Sequence, residues 1–327
     1  WIKIMAYSSI AKPTDYFNTL LYTGTGSGGS DRQLTGVGFQ PDWTWIKNRN
    51  SAQEHVLVDA VRGATKSLDS SSTTAEETND TRVGAFISDG FQLGSGSLQN
   101  RVNGNGNGLV AWNWLGANGT ASNSDGGINS TVSVNNTAGF SIVKYGTGTG
   151  SATTVGHGLN AAPNLIIIKP LGTVTTGGWI VGSDAFDSTW NNVFDLNATA
   201  AAANDPSFND TAPTSSVFSV GNNNTNRSGE NYIAYCFVEK KGYSKFGNYI
   251  GNGSTDGTFI YTGFKPAFVI LKIAGHAASW LMFDNKRDGL NPNSHRVYAN
   301  GSDAEDTGSG SQIDFLSNGF KGRSSDS

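Results

Sequence analysis

Three short apolar runs set the pattern of the chain. Each is opened by a proline and closed by a lysine six positions later: Pro41 to Lys47, Pro163 to Lys169, and Pro266 to Lys272. Inside them stand Trp43-Thr44-Trp45-Ile46, Leu165-Ile166-Ile167-Ile168 and Phe268-Val269-Ile270-Leu271. Proline has a fixed φ and no N–H, so it suits the start of a strand or a sheet edge. The residues after it favour a pleated, half-buried surface. Runs this short, bounded by turn residues, predict strands rather than helices. The unbroken runs at 165–168 and 268–271 predict burial on both faces, while Thr44 predicts a more polar face in the first copy. The closing lysine predicts a stem laid on the core and an ammonium in water.

The prolines are 122 and 103 residues apart, so the repeating unit is domain-sized. The chain divides into an N-terminal arm (1–15), repeat one (16–116), a linker rich in Asn, Ser and Gly (117–127), repeat two (128–240) and repeat three (241–327). Alternating or apolar stretches recur in each unit. Phe86-Ile87-Ser88-Asp89-Gly90-Phe91 matches Ser216-Val217-Phe218 and Phe315-Leu316-Ser317-Asn318-Gly319-Phe320. Leu109-Val110-Ala111-Trp112 matches Tyr232-Ile233-Ala234-Tyr235. Repeat three has no counterpart of that last strand. The expectation is that the natural polypeptide continues past Ser327, with Trp1 an unnatural start before Met5, or that another chain inserts a strand there.

Units of about 100 residues are too long for solenoid repeats. They predict an all-β fold of tandem β-sandwich, jelly-roll-like domains with short Gly/Asn-rich turns. Composition agrees: 43 of 327 residues are glycine, while only 15% are charged. The net charge of −4 gives no basic footprint for nucleic acid. No run of 18 apolar residues is present, so no helical membrane insertion is expected. The single cysteine, Cys236, lies in an apolar run and reads as a buried structural thiol.

Several phrases together resemble a repeat domain of uncharacterised function in large virion and tail-associated proteins of marine bacteriophages. They are Gly38-Phe39-Gln40-Pro41-Asp42-Trp43-Thr44-Trp45-Ile46-Lys47, Val61-Arg62-Gly63-Ala64-Thr65-Lys66, Ser88-Asp89-Gly90-Phe91, Thr153-Thr154-Val155-Gly156-His157-Gly158-Leu159, Pro213 to Gly221, and Tyr232 to Phe237. The resemblance covers nearly everything from Tyr16 onward. It implies a virion structural or fibre-like protein on the particle surface, whose partners are copies of itself and other virion proteins. It supplies no catalytic residues.

The residues themselves offer little chemistry. His55, His157, His276 and His295 form no zinc spacing with one another or with Cys236. The Gly-x-Gly turns precede strand-like sequence rather than a helix N-terminus, which argues against phosphate binding. Asp59-x-x-Arg62 and Asp284-x-x-Arg287 occupy the same place in repeats one and three, and read as structural ion pairs that fix a turn; repeat two lacks the pair. Asp303-Ala304-Glu305-Asp306 lacks a full calcium-loop pattern. No cofactor or metal is expected. The favoured function is a non-enzymatic structural protein of a phage particle: a tail fibre, spike or capsid-surface fibre. The alternative is a carbohydrate-binding adhesin for host-surface glycans, for which exposed aromatics would form the platform; Trp43, Trp45, Trp112, Trp114 and Trp280 read instead as core. A glycan-degrading enzyme is the weakest reading, since it needs a pair of carboxylates that the sequence does not place.

Overall fold

The computed structural model describes residues 8–26, 32–79, 81–94, 100–146, 148–172, 177–221 and 224–325. The Trp1–Met5 start and Ser327 lie outside them. The fold is all-β, with antiparallel pairing between strands and one four-residue helix, Asn100–Asn103, among the described residues.

Repeat one contributes a large sheet in the order Phe17–Thr23, Gly108–Trp114, Trp43–Asn48, Val56–Asp59, Lys66–Leu68, Glu77–Thr78. A small sheet of Arg32–Thr35, Gly90–Leu93 and Val83–Ile87 covers one face of it. Repeat two follows the same plan. Phe140–Tyr145, Tyr232–Phe237, Leu165–Pro170, Ile180–Ser183 and Asn192–Asp195 stand in the same order, and Thr153–Gly156 pairs with Val217–Val220 across from them. Ala121–Asn123, inside the segment read as a linker, is a strand at the edge of this sheet. In repeat three the large sheet shrinks to Phe268–Leu271, Leu281–Asp284 and Val297–Tyr298, covered by Phe259–Tyr261, Gly319–Gly322 and Ile313–Leu316.

We call Trp43–Asn48, Leu165–Pro170 and Phe268–Leu271 the proline strands. Each begins two residues after its proline. A glycine with positive φ, Gly38 (90°), Gly158 (71°) or Gly263 (82°), turns the chain before each proline, a conformation that costs any other residue far more. The hairpin register is shared as well: Trp43 faces Asp59, Leu165 faces Ser183 and Phe268 faces Asp284. Gly108–Trp114 and Tyr232–Phe237, the closing strands, lie between the proline strand and the opening strand (Phe17–Thr23 or Phe140–Tyr145) and pair with both.

Side chains alternate between two cores. In repeat one Ile46, Val56, Val58, Leu109 and Ala111 fill the sandwich interior, whereas Trp43, Trp45, Leu57, Val110, Trp112 and Trp114 point the other way. Repeats two and three do the same, with Ile166, Ile168 and Ala234 inward and Ile167, Val181 and Tyr235 outward, or Val269 and Phe283 inward and Met282 and Val297 outward. The outward faces of all three large sheets meet in one central core. The repeats are therefore packed around a common interior rather than strung out as separate beads.

Two expectations change. Thr44 does not mark a polar face: it is fully buried, and its hydroxyl donates to Asn113 Oδ1 at 2.9 Å. The ammonium groups of Lys47 and Lys169 are not in water, because both side chains are buried and bonded to carbonyls.

Repeat three is the open one. Among the described residues nothing pairs with the free edge of Phe268–Leu271, and the stretch 246–250, placed in sequence where the other opening strands stand, forms no strand. Among the described residues, five of the six exposed large apolar side chains, Ile250, Phe259, Tyr261, Ile273 and Leu290, fall in this repeat. Amide exchange followed by mass spectrometry should reflect this. The Phe268–Leu271 strand is expected to exchange much faster than Trp43–Asn48 and Leu165–Pro170, which are paired on both sides; equal protection of the three would contradict the open edge.

Candidate functional site

The polar groups drawn into the central core form one constellation, repeated around a pseudo-threefold arrangement. The closing lysine of each proline strand donates to a carbonyl of its own repeat and to one of a neighbouring repeat. Lys47 reaches Gln53 (2.7 Å) and Ser302 in repeat three (2.9 Å). Lys169 reaches Gly177 (2.8 Å) and Thr73 in repeat one (3.1 Å). Lys272 reaches Ala278 (2.9 Å) and Thr199 in repeat two (3.0 Å).

A ring N–H at the start of each hairpin partner makes a second joint. Trp179 Nε1 donates to the Asp69 carbonyl at 2.9 Å and Trp280 Nε1 to the Asp195 carbonyl at 3.0 Å. In repeat one the position belongs to His55, whose Nε2 lies 3.0 Å from the Tyr298 carbonyl. Trp45 Nε1 donates to His55 Nδ1 at 2.7 Å, so Nδ1 is the acceptor and Nε2 carries the proton. Burial first, then the nearby Lys47 charge, holds this imidazole neutral, far below its usual pKa. Backbone bonds complete each seam: Glu305 N to Arg49 O (2.8 Å), Glu76 N to Leu171 O (2.9 Å) and Ala202 N to Ala274 O (3.1 Å).

Two of the three seams carry a fourth, charged joint. Asp59 receives Arg62 Nε at 2.5 Å and the hydroxyl of Tyr235, from the closing strand of repeat two, at 2.8 Å. Asp284 receives Arg287 Nε at 2.5 Å and Trp112 Nε1, from the closing strand of repeat one, at 3.1 Å. Arg62 also meets Glu76 (3.3 Å), and Arg287 meets Glu305 (2.9 Å). The ion pairs do fix their turns, through Arg62 N to Asp59 and Arg287 N to Asp284. Their larger role is to receive an aromatic donor from a neighbouring repeat. Burial opposes the charge on Arg62, but Asp59, Tyr235 and Glu76 overcome it and hold the guanidinium charged. Burial, with Asp59 adding to it, pushes the Tyr235 hydroxyl far above its ordinary pKa.

At the seam between repeats two and three the charged joint has lost both halves. Ser183, Phe186 and Ala202 stand where Asp59, Arg62 and Glu76 stand in repeat one, as hairpin register and the backbone bonds show. No closing strand arrives from repeat three among the described residues.

Chemically these groups are spent. The Asp59, Arg62, Asp284 and Arg287 side chains have no solvent exposure, and their donors and acceptors are engaged with one another. Elsewhere, the carboxylates of the 303–306 loop serve arginines: Glu305 meets Arg49 and Arg287, and Asp306 meets Arg296. The described residues contain no group of three or more His, Cys, Asp or Glu placed to hold a metal ion. Cys236 is buried, and burial pushes its thiol well above the usual range. Trp43, Trp45, Trp112, Trp114, Trp179, Trp190 and Trp280 are all buried.

The markers Pro41, Lys47, Pro163, Lys169, Pro266 and Lys272 thus lead to the seams, and Asp59, Arg62, Asp284 and Arg287 form two of their joints. Sequence reading missed His55, Trp179 and Trp280 as one position. Counting would have found it: they stand eight, ten and eight residues after their closing lysines. It also missed the pairing of Trp112 and Tyr235 with carboxylates about 170 residues away.

The chain belongs to the family described as Domain of unknown function (DUF7483), which matches residues 12–327. Neither a curated protein nor a solved structure matches it.

Two outcomes follow. Arg62→Met leaves Asp59 buried without its counter-charge and should cost about 3–5 kcal/mol in denaturant unfolding. Tyr235→Phe, which leaves the pair intact, should cost about 1.5–3 kcal/mol; a larger loss for Tyr235→Phe than for Arg62→Met would refute the assigned roles.

Stability should also depend on alkaline pH. Burial lowers the pKa of Lys47 and Lys169 from 10.5 to about 8. Between these values the unfolded chain keeps a proton that the folded chain has lost, so stability rises with pH. As pH approaches about 10 the sign reverses, since buried tyrosines such as Tyr145 and Tyr235, and the Cys236 thiol, hold protons that the unfolded chain releases. Thermal unfolding is expected to show Tm rising from about pH 8 and falling again by about pH 10. Lys47→Met and Lys169→Met should flatten the rise, and a Tm that falls steadily from pH 8 would oppose this account.

Proposed function

We propose that the protein is a non-enzymatic structural component of a phage particle, displayed on the virion surface as part of a tail fibre, spike or capsid-surface fibre. The observation that carries this reading is the use made of buried polar chemistry. Lysines, arginines, carboxylates and a histidine that an enzyme would direct at a substrate are here directed at neighbouring repeats. The result is a rigid block cross-tied at every seam, suited to a mechanical role. The likeness of its motifs to virion repeat domains supports the same reading. Partners would be other copies of the chain and other virion proteins.

Antibodies against the purified protein should decorate intact particles in electron micrographs, and mass spectrometry of gradient-purified particles should recover the chain. Its presence in infected cells but not in particles would overturn the reading. Incubation with host-surface polysaccharide should release no new reducing ends. Release that a single carboxylate substitution abolishes would replace the structural reading with an enzymatic one.

One observation favours an adhesin as the second reading. Phe259 and Tyr261, two apart on one strand, expose 42% and 61% of their surface. Aromatic faces presented this way suit sugar rings. Saturable binding on a glycan array, lost in Tyr261→Ala, would support the adhesin; no binding leaves the scaffold role.

A further inference from the structure

We propose that the free edge of Phe268–Leu271 accepts one extended, antiparallel strand whose core-facing side chains are apolar, and that this strand completes the third seam of the central core. The inference rests on the internal repeats and is independent of where the protein works.

Repeats one and two show what covers this edge. In both, a closing strand pairs with the proline strand on one side and the opening strand on the other, and those two never pair directly. Removing a closing strand should therefore leave two elements unpaired. Repeat three has both: Phe268–Leu271 is an edge, and 246–250 runs irregularly with Ile250 88% exposed. The stretch is nonetheless held near its proper place. The ring of Phe246 lies 6.1 Å from that of Phe237, and the Asn248 side chain donates to the Ala185 carbonyl, both in repeat two. The two elements that a closing strand would join are thus both present in repeat three.

Several apolar residues that repeats two and three turn toward the central core are incompletely covered. Leu165, Phe186, Ala202, Phe237, Phe268 and Ile270 are only partly buried although all pack on the central core. The equivalent of Leu165 in repeat one, Trp43, is 1% exposed, with Tyr235 from the closing strand of repeat two stacked on it at 4.2 Å between centroids. An exposed edge with this apolar margin is a template for β-addition: main-chain bonds supply affinity and alternate side chains supply selectivity.

The seam also specifies the chemistry of the incoming strand. By the register of the other repeats, one residue lies opposite Ile270, where Trp112 faces Trp45 and Tyr235 faces Ile167. Trp112 and Tyr235 each bring a donor to a buried carboxylate. Here the receiving residues are Ser183, Phe186 and Ala202, and no carboxylate stands among them. A donor at that position would be buried without the charged acceptor that Trp112 and Tyr235 find, so the strand carries an apolar residue there, Phe or Leu rather than Tyr or Trp. The uncharged positions of repeat two and the edge of repeat three that no described strand covers meet at one seam, and a single apolar strand answers both.

The test uses the whole 327-residue protein and a synthetic peptide copying Asn231–Val238, with Tyr235→Phe and Cys236→Ser. Expected is saturable binding, seen in tryptophan fluorescence, together with at least tenfold slower amide exchange in Phe268–Leu271. The Ile233→Pro form of the peptide should not bind. The form that keeps Tyr235 should bind about tenfold more weakly, and this order should reverse on a protein carrying Ser183→Asp, Phe186→Arg and Ala202→Glu. Should that triple variant fail to fold, the two peptides on the unaltered protein still decide. Absence of saturable binding with unchanged exchange overturns the proposal. So does protection of the same amides that grows with protein concentration and resists the peptide, which would assign the edge to a second copy of the chain.

Discussion

A sheet buried on both faces has no solvent to which a polar atom can escape. That constraint governs this protein, because the large sheet of each repeat packs one face into its own sandwich and the other into a core shared by three. Any donor or acceptor carried inward must find its complement there, or cost the full desolvation penalty. The closing lysines illustrate the solution. Each ammonium bridges two carbonyls from different repeats, so a residue expensive to bury becomes a cross-tie between units. The ring N–H groups of His55, Trp179 and Trp280 solve the same problem with a neutral donor.

Much of this was legible in the residues. The proline strands, their hairpins and the all-β class follow from short apolar runs between turn residues. The Asp59–Arg62 and Asp284–Arg287 pairs follow from spacing, since their members are neighbours along the chain. The unbroken run Leu165 to Ile168 announced burial on both faces, but apolar sequence does not say what lies on the far side. A tandem arrangement and a shared core therefore read alike. Thr44 misled for a related reason: its buried hydroxyl is answered by Asn113, 69 residues away, and two polar residues that cancel look from the sequence like two exposed ones. Lys47 and Lys169 misled because their acceptors are backbone carbonyls, which leave no trace in residue type.

Stability is unevenly shared. Repeats one and two are each bounded by a closing strand and joined by a charged seam. Repeat three leans on repeat one through Trp112 and the arginine network around Glu305, and on repeat two through Lys272, Trp280 and the Ala202–Ala274 backbone bond, with no buried ion pair between those two among the described residues. Local opening should begin at the seam between repeats two and three, where side chains are less covered and, among the described residues, the only ion pair is the solvent-exposed Lys245–Glu239 contact.

The unlike seams have a consequence for how the chain finds its own arrangement. Three similar modules on one polypeptide could pair in the wrong cyclic order or exchange partners between two molecules. Here the modules are not interchangeable. If Tyr235 were set against Ser183 and Phe186 instead of Asp59 and Arg62, a hydroxyl would be stranded beside a phenyl ring, and a carboxylate with its guanidinium would lose a donor elsewhere. The buried ion pairs at two seams, and the uncharged residues in their place at the third, therefore act as a key, distinguishing similar surfaces by what they refuse as much as by what they hold.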